Sequence, residues 1–264
     1  MKITLIRYHI HMSAQINIRF HRELNAFLQP VQRKANFDHE LKKARSVKDL
    51  IESIGVPHTE VELIFVNGVS VDFDYQPQDD DHISVYPTVE SLDIVLLKSS
   101  LRHCQPEPLD EPIFILDVHL GRLAAYLRML GFDTLYRNDY DDPELADISA
   151  NEQRILLTCD RKLLMRKQVS YGYFVRARQP QQQILEIVAR FDLYHKLKPF
   201  SRCMFCNGIT EAVNKQQIES RLLPKTKKYF DKFYQCKSCD KIYWQGSHYL
   251  KMQEMIKKIK VAAG

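Results

Sequence analysis

Four cysteines in the last third of the chain could bind a metal ion. Cys203 and Cys206 form one Cys-x-x-Cys pair, and Cys236 and Cys239 form a second. Four thiolates in a tetrahedral arrangement select zinc, and a site filled by four cysteines is structural rather than catalytic. A redox role is the alternative for a single Cys-x-x-Cys, but two such pairs favour metal. We predict a structural zinc site, with a hairpin or a short helix filling the stretch between the pairs.

Acidic residues form a second set that could do chemistry. Asp117 and Asp160 come just after apolar runs that resemble strands. The loop after another such run and the start of the helix that follows it contain Asp139, Asp141, Asp142 and Glu144. In an open parallel sheet, functional residues collect beyond the carboxyl ends of the strands. Crowded carboxylates need a hard cation such as Mg²⁺ or Mn²⁺, which can activate water and stabilise the leaving oxygen of a phosphodiester. The pattern therefore predicts a metal site at one edge of a sheet.

Helix capping is the alternative explanation for some of these acids. Asp142 precedes Pro143 and could cap the helix that follows, and Asp160 could cap a short helix at Arg161–Lys167. Asp117 is harder to explain in this way, although acids at strand ends are common. The residues alone leave both interpretations open.

The elements that must position these acids alternate between strand and helix. Such alternation predicts a parallel sheet covered on both faces. The predicted strands are Ile113–Leu116, Thr134–Tyr136, Ile155–Thr158 and Tyr171–Arg176, and the predicted helices are Leu120–Leu130, Pro143–Glu152 and Gln181–Phe191.

The amino-terminal part predicts a small α+β fold with hairpins. Ile16, Ile18 and Phe20 alternate with polar residues as in a half-buried strand, and Asn67-Gly68 is a strong hairpin signal. The flanking predicted elements are a helix at Val47–Ile54, capped by Ser46 and ended by Gly55, and strands at Val61–Val66, Val69–Phe73 and Ile83–Tyr86. Residues 1–11 are equally compatible with an extra strand and with a loose extension.

Composition places the chain among soluble globular proteins. No apolar run is long enough to span a membrane, no signal-peptide cleavage site follows the start, and the cysteine pattern indicates a reducing cytoplasm. The formal net charge is +5, yet residues 195–264 alone hold 15 basic and 5 acidic residues. This excess predicts a polyanion partner, although a solvated lysine-rich surface is the plain alternative.

Aromatic residues are interleaved with the lysines around the second cysteine pair. Lysines release counterions on binding phosphates, and aromatic rings can stack on unpaired bases. Most of these rings are expected to form the core of the zinc module, with Trp244 and Tyr243 as the best exposed candidates. His248 is expected at the surface or against RNA.

The segments "FILDVHLGRLAAYLRMLGFDTLY" and "DDPELADISANEQRILLTCDRKLL", together with the zinc segment, resemble the Mut-seven carboxyl-terminal RNase family. The resemblance covers most of Pro112 to Tyr249 and implies a PIN-like, three-layer α/β nuclease domain with an appended zinc ribbon. It implies a catalytic Mg²⁺ or Mn²⁺ held by Asp117, Asp142 and Asp160, and Asp141 or Glu144 could substitute for Asp142. The chain departs from the family at Cys159 and Ala125, where basic residues are usual. The basic and aromatic residues that remain as predicted phosphate or RNA contacts are Arg122, Arg128, Arg161, Lys162, Lys228, Lys237 and Trp244.

The amino-terminal segments "SVKDLIESIGVPHTEVELIFVNGVSVDF" and "DDDHISVYP" resemble the ubiquitin-like sulfur carriers in their nuclease-fused form. The resemblance implies a β-grasp domain. Sulfur carriers end in a free Gly-Gly, but here "TVESLDIVLLK" follows Pro87. We therefore expect a docking or packing module instead of a carrier; a docking module would have a protein as its partner.

These patterns predict a ubiquitin-like β-grasp domain at 1–95, a proline-containing linker at 96–112, a PIN-like nuclease domain at 113–194 and a zinc ribbon at 195–264. The predicted function is metal-dependent hydrolysis of RNA phosphodiester bonds, with the ribbon contacting RNA. The alternatives are a non-catalytic RNA-binding module and a protein-interaction adaptor, each with a structural zinc site.

Overall fold

The computed structural model describes residues 14–41, 46–88 and 101–261. The chain divides into two compact units, residues 1–107 and residues 108–264, and each is described by itself. Residues 1–11, for which two alternatives were predicted, lie outside the described residues. So does most of the segment "TVESLDIVLLK", which stands where a sulfur carrier would end. Across the residues described, no helix combines the length and apolar character needed to cross a bilayer.

The first unit is built on a five-stranded sheet in the order β2-β1-β5-β3-β4. Its elements are β1 (Gln15–Phe20), β2 (Phe37–Glu40), α1 (Val47–Ile54), β3 (Leu63–Val66), β4 (Val69–Val71) and β5 (His82–Tyr86). Strands β1 and β5 pair in parallel, while the other three pairings are antiparallel. Helix α1 buries Val47, Leu50 and Ile51. This unit is the predicted ubiquitin-like β-grasp domain.

Local signals explain where the elements of the first unit begin and end. The Ser46 hydroxyl accepts a hydrogen bond from the Asp49 N–H at 3.2 Å, and Gly55 ends the helix with a φ of 105°. Asn67 and Gly68 have φ values of 50° and 82°, so they form the left-handed pair that a tight hairpin requires. Strand β2 was not predicted, since its half-exposed sequence FDHE has no apolar face.

Part of the predicted linker packs on the first unit. His103 forms an isolated β-bridge with Leu63, and the Gln105 side-chain amide donates to the Val61 carbonyl at 2.6 Å. Burial, followed by the charges of Glu62 and Asp72, raises the pKa of the Cys104 thiol to about 12. The chain through Gln105 is therefore bound to the first unit.

The second unit contains a four-stranded parallel sheet in the order β7-β6-β8-β9. The α/β elements are β6 (Phe114–Leu116), α2 (Gly121–Leu130), β7 (Thr134–Leu135), α3 (Asp142–Glu152), β8 (Ile155–Thr158), α4 (Arg161–Leu164), β9 (Gly172–Phe174) and α5 (Pro180–Arg190). Phe114 and Leu116 pack with α2 and α5, whereas Ile115 packs with α3 and α4. The sheet is thus covered on both faces, which is the predicted three-layer arrangement.

The rest of the second unit is a three-stranded antiparallel sheet in the order β10-β11-β12, flanked by helices. The elements are β10 (Thr210–Val213), α6 (Lys215–Ile218), α7 (Pro224–Tyr229), β11 (Phe233–Cys236), β12 (Ile242–Trp244) and α8 (Ser247–Val261). Both a strand and short helices fill the stretch between the cysteine pairs. Helix α8 was not predicted; its Ile256 and Ile259 are buried in the same core as α2 and α5.

Candidate functional site

The four cysteines converge on one point. Their sulfur atoms all lie within 4.8 Å of one another. The sulfurs of Cys203 and Cys239 are 3.7 Å apart, and those of Cys206 and Cys236 are 3.4 Å apart. Four sulfurs placed at about 2.3 Å from a tetrahedral zinc ion would be separated by roughly 3.8 Å. The donor set and its spacing therefore fit the predicted structural zinc site.

Each cysteine pair lies on a tight backbone loop of the same design. The residues that follow the pairs, Asn207 and Asp240, are left-handed, with φ values of 71° and 57°. The Cys203 N–H donates to the Gly208 carbonyl at 2.7 Å. A Cβ at Gly208 would clash with the Ser238 side chain and approach the Cys236 sulfur to 3.0 Å. Glycine is needed here because the two loops approach closely.

Tyr243 interacts directly with the cysteine cluster. Its hydroxyl lies 3.0 Å from the Cys203 sulfur. Burial alone would raise the pKa of the Cys203 thiol, but hydrogen bonds from Tyr243 and from the N–H groups of Cys206 and Phe205 outweigh it and lower the pKa to about 6. The site thus favours the thiolate that a metal requires. Tyr243 supports the ligand set, and its hydroxyl is not a free RNA contact.

The first cysteine loop is tied to the α/β layers by buried hydrogen bonds. The Arg128 guanidinium donates to the Thr134 carbonyl at 2.9 Å and to the Phe205 carbonyl at 2.8 Å. Arg128 is only 5% exposed. Its guanidinium holds the ribbon to the end of α2 and the start of β7, so we remove Arg128 from the predicted phosphate contacts.

Asp133 is the centre of a second set of contacts at this junction. Its carboxylate pairs with Arg154 at 2.7 Å and Arg202 at 3.2 Å, and it accepts a hydrogen bond from the Asn207 amide at 3.0 Å. Burial would raise the pKa of Asp133, but the hydrogen bonds from Arg154 and Asn207 prevail and lower it. No local motif indicates this network, because its members come from distant parts of the chain.

At the other end of the strands, Asp117 is a buried carboxylate. It directly follows β6 and is 6% exposed. One carboxylate oxygen accepts from the His119 N–H at 2.9 Å, so Asp117 also caps a short 3-10 helix at Val118–Leu120, contrary to expectation. The other oxygen accepts from the Thr158 hydroxyl at 2.7 Å. Among the described residues, no lysine, arginine or histidine side chain forms an ion pair with it. These hydrogen bonds fix the orientation of Asp117.

Thr158 connects Asp117 to Asp160. The Thr158 hydroxyl accepts a hydrogen bond from the Asp160 N–H at 2.9 Å while it donates to Asp117. Asp160 is exposed, and its carboxylate caps α4 by accepting from the Lys162 N–H at 2.7 Å. The capping interpretation of Asp160 is confirmed, although α4 ends at Leu164, three residues before the predicted end. Sequence reasoning missed Thr158; the signal was a threonine that ends an apolar strand two residues before an acid.

The acids near β7 have separate roles. Asp141, not Asp142, caps α3: its carboxylate accepts from the Glu144 N–H at 2.8 Å. The prediction that Asp142 could be the cap is wrong, because α3 begins at Asp142. Glu144 receives a hydrogen bond from Arg137 at 3.1 Å, and Arg137 also pairs with Asp139. The Asp142 side chain is exposed, and it makes no hydrogen bond or ion pair within the described part of the chain.

The structure does not gather the acids as tightly as it gathers the cysteines. Within the described residues, the cysteines are the one group of three or more metal-ligating side chains that meet around a common point. Asp117 and Asp160 are linked through Thr158, whereas no contact joins Asp142 to either of them. All three follow strands of the same parallel sheet and therefore lie toward the same edge.

The remaining predicted RNA contacts are at the surface. Arg122, Lys162 and Lys228 are exposed, and Arg161 is half-buried with its guanidinium 6.0 Å from the centre of the Phe174 ring. Lys237 is exposed and pairs with Glu211 at 2.8 Å. Trp244 is 38% exposed. All of these side chains except that of Arg161 are therefore exposed.

Comparison with protein families agrees with this architecture. The model for the Mut7-C RNAse domain matches residues 112–256, which is more than half of the chain. The model for the Mut7-C ubiquitin domain matches residues 13–93. Neither the curated proteins nor the solved structures include a significant match. With its parallel sheet, its four-cysteine ribbon and a ubiquitin-like unit ahead of them, the chain belongs to the Mut7-C RNAse domain family.

Proposed function

We propose that the protein is a metal-dependent ribonuclease whose active site lies at the edge of the sheet where β6, β7 and β8 end. The observation that carries the proposal is Asp117, a buried carboxylate held by a hydroxyl and a backbone N–H. A buried charge without a compensating cation is costly. A divalent cation at this edge would remove that cost, which is a reason for the acid to be there.

The donor set suits magnesium or manganese. Both ions prefer oxygen ligands, and magnesium is often held by one or two carboxylates while it keeps several waters. Asp117 would be the fixed ligand, Asp160 the second and Asp142 the third. Asp160 and Asp142 are both exposed, and one oxygen of Asp160 also caps α4. When bound, the ion supplies a polarised water and charge neutralisation at the phosphodiester.

The residues around these acids would position the substrate. Arg161 and Lys162 begin α4 directly after Asp160, and Arg122 is exposed in the first turn of α2. Guanidinium groups bind phosphate through paired hydrogen bonds. Thr158 holds Asp117 and the backbone of Asp160 in one arrangement. The role of Asp117 is therefore ligation and that of Thr158 is positioning.

The other modules would bring RNA and partners to this site. The ribbon carries the basic excess of the chain, including exposed Lys228 and Lys237, and would hold RNA. The ubiquitin-like unit would dock a protein partner. The alternative is a non-catalytic RNA-binding or adaptor protein, in which Asp160 is only a cap; the separation of Asp142 from the other acids supports that alternative.

The test compares acid variants in an RNA cleavage assay with added Mg²⁺ or Mn²⁺. The double variant Asp117→Asn, Asp160→Asn should lower cleavage at least about a hundredfold while RNA binding persists or strengthens, because two repulsive charges are gone. Asp147→Asn makes the same type of substitution at one carboxylate on an exposed face of α3 and should cleave normally. Undiminished cleavage by the double variant would refute the proposal. RNA binding by the wild type without metal-stimulated hydrolysis would establish the non-catalytic alternative.

A further inference from the structure

Two adjoining grooves lie between β12 and α8 of the second unit. The first has a volume of about 360 Å³ and includes Phe200 and Tyr234 in its lining; the second has a volume of about 700 Å³ and includes Lys251. Both grooves share Trp244 and Tyr249, so they meet along these two rings. Their volumes fall in the range of small-molecule sites, about 300–1,000 Å³.

The lining combines exposed aromatic rings with positive charge. Trp244 is 38% exposed and Tyr234 is 39% exposed, although both belong to strands of the ribbon. Phe200 and Tyr249 place their ring centres 4.7 Å apart in the wall of the first groove. Lys241, His248 and Lys251 line the second groove, and none of the described residues that line either groove is acidic. Rings beside cations suit nucleobases joined by phosphates.

The second groove extends toward the acidic edge of the sheet. Its lining includes Trp244 of β12, Tyr126 of α2 and Gln181. Gln181 is in the first turn of α5, and α5 follows the carboxyl end of β9. Because the strands are parallel, that end of β9 is the same edge at which Asp117 and Asp160 lie. The groove therefore leads from the ribbon toward the proposed active site.

We infer that this groove binds an unpaired segment of RNA: one base stacks on Trp244, and the phosphates pass Lys251 on the way to the acidic edge. This inference rests on the proposed ribonuclease function and specifies its substrate class as single-stranded. A base in the interior of a duplex is already stacked on both faces and cannot lie against Trp244. The groove, more than the lysines of the outer ribbon surface, then selects the substrate.

The chain carries its own reporter for this inference, since Trp244 is its one tryptophan. The Asp117→Asn, Asp160→Asn variant is titrated with a short oligouridylate, and tryptophan fluorescence should be quenched as a base stacks on the indole. A blunt RNA duplex of similar length should bind more weakly and leave the fluorescence nearly unchanged. A single-stranded DNA oligomer tests whether the 2′-hydroxyl matters. Saturating oligouridylate without any change in fluorescence, or equal affinity for the duplex, would overturn the inference.

Substitutions then locate the contact, with binding followed by the anisotropy of a labelled RNA. Trp244→Ala should weaken binding about five- to a hundredfold, because stacking of one base contributes about 1–3 kcal/mol, whereas Trp244→Phe should retain most of the affinity. Tyr229 is 66% exposed and does not line either groove, so Tyr229→Ala is the matched aromatic control and should bind as the parent does. Zinc content measured on each variant verifies that the ribbon is folded. Unchanged affinity in zinc-loaded Trp244→Ala would refute the inference.

The lysine in the groove has its own control on the same helix. Lys251→Ala should reduce the slope of log affinity against log salt by about 1, whereas Lys260→Ala, on the opposite face of α8, should change it less. Equal slopes for the two variants would contradict the path past Lys251.

Cleavage measured in parallel separates the two proposals. If RNA does not quench Trp244 fluorescence but the wild type cleaves RNA with metal, only the proposal that RNA binds in the groove is refuted. If RNA quenches the fluorescence but the wild type does not cleave, only the proposed nuclease activity is refuted.

Discussion

The Thr158 hydroxyl donates a hydrogen bond to the Asp117 carboxylate across 2.7 Å, and both side chains are buried where neighbouring strands end. The same hydroxyl accepts from the Asp160 N–H at 2.9 Å. One small side chain therefore sets the orientation of one proposed ligand and the backbone position of another. Its removal should affect the site without removing any acid.

Thr158→Val keeps the shape of the side chain and deletes the hydroxyl. The Asp117 oxygen then loses its donor in a buried site, so we expect a loss of about 1–3 kcal/mol in the free energy of unfolding. Cleavage should require more Mg²⁺ or Mn²⁺ for half-maximal rate. Thr158→Ser restores the hydroxyl and should restore the metal requirement. The measurement is cleavage rate against metal concentration; identical curves for the valine and serine variants would exclude a positioning role.

Zinc loss should weaken the α/β layers as well as the ribbon. The Arg128 guanidinium is buried against the Phe205 carbonyl of the first cysteine loop, and it would lose this partner if the loop opened. Cys203→Ser should abolish stoichiometric zinc and lower the melting temperature. Cys159→Ser, at an exposed thiol outside the cluster, should keep its zinc. Elemental analysis and calorimetry test this, and a zinc-free Cys203→Ser protein with normal melting would contradict it.

The zinc module and the order of the elements could be predicted from the sequence, because short-range rules govern them. Asn67-Gly68 and the paired cysteines are examples. The periodic Met252, Met255, Ile256 and Ile259 on α8 could also have been recognised. Contacts between distant segments could not be predicted from the sequence. Arg128 resembles an exposed phosphate ligand in its helix, and only the carbonyl groups of a loop 77 residues away reveal its structural role.

The Asp133 network should make stability depend on pH in the acid range. The folded-state pKa of Asp133 is lowered, so its contribution is present above its unfolded pKa of about 4 and is lost as pH falls toward the folded pKa. Asp133→Asn should cost about 2 kcal/mol at neutral pH, a cost that shrinks below about pH 4. Fluorescence of Trp244 can follow unfolding of this unit. The quantity to compare is the difference in free energy of unfolding between the wild type and Asp133→Asn, because protonation of the cysteines destabilises both proteins alike. A difference that does not vary with pH would contradict the assignment.

Adjacent Asp141 and Asp142 should differ in which property they control. The Asp141 carboxylate accepts from the Glu144 N–H at 2.8 Å, so Asp141→Ala should lower the free energy of unfolding by about 1 kcal/mol. The exposed Asp142 carboxylate has no hydrogen-bond or ion-pair partner among the described residues, so Asp142→Ala should leave stability nearly unchanged. If Asp142 is a metal ligand, its loss should lower cleavage and raise the metal concentration required, whereas Asp141→Ala should cleave normally at a temperature where it is folded. Denaturant unfolding and metal-dependent cleavage, measured on both variants, separate the cap from the ligand. If both variants cleave normally, Asp142 is not part of the site, and the metal would be held by Asp117 and Asp160 without it.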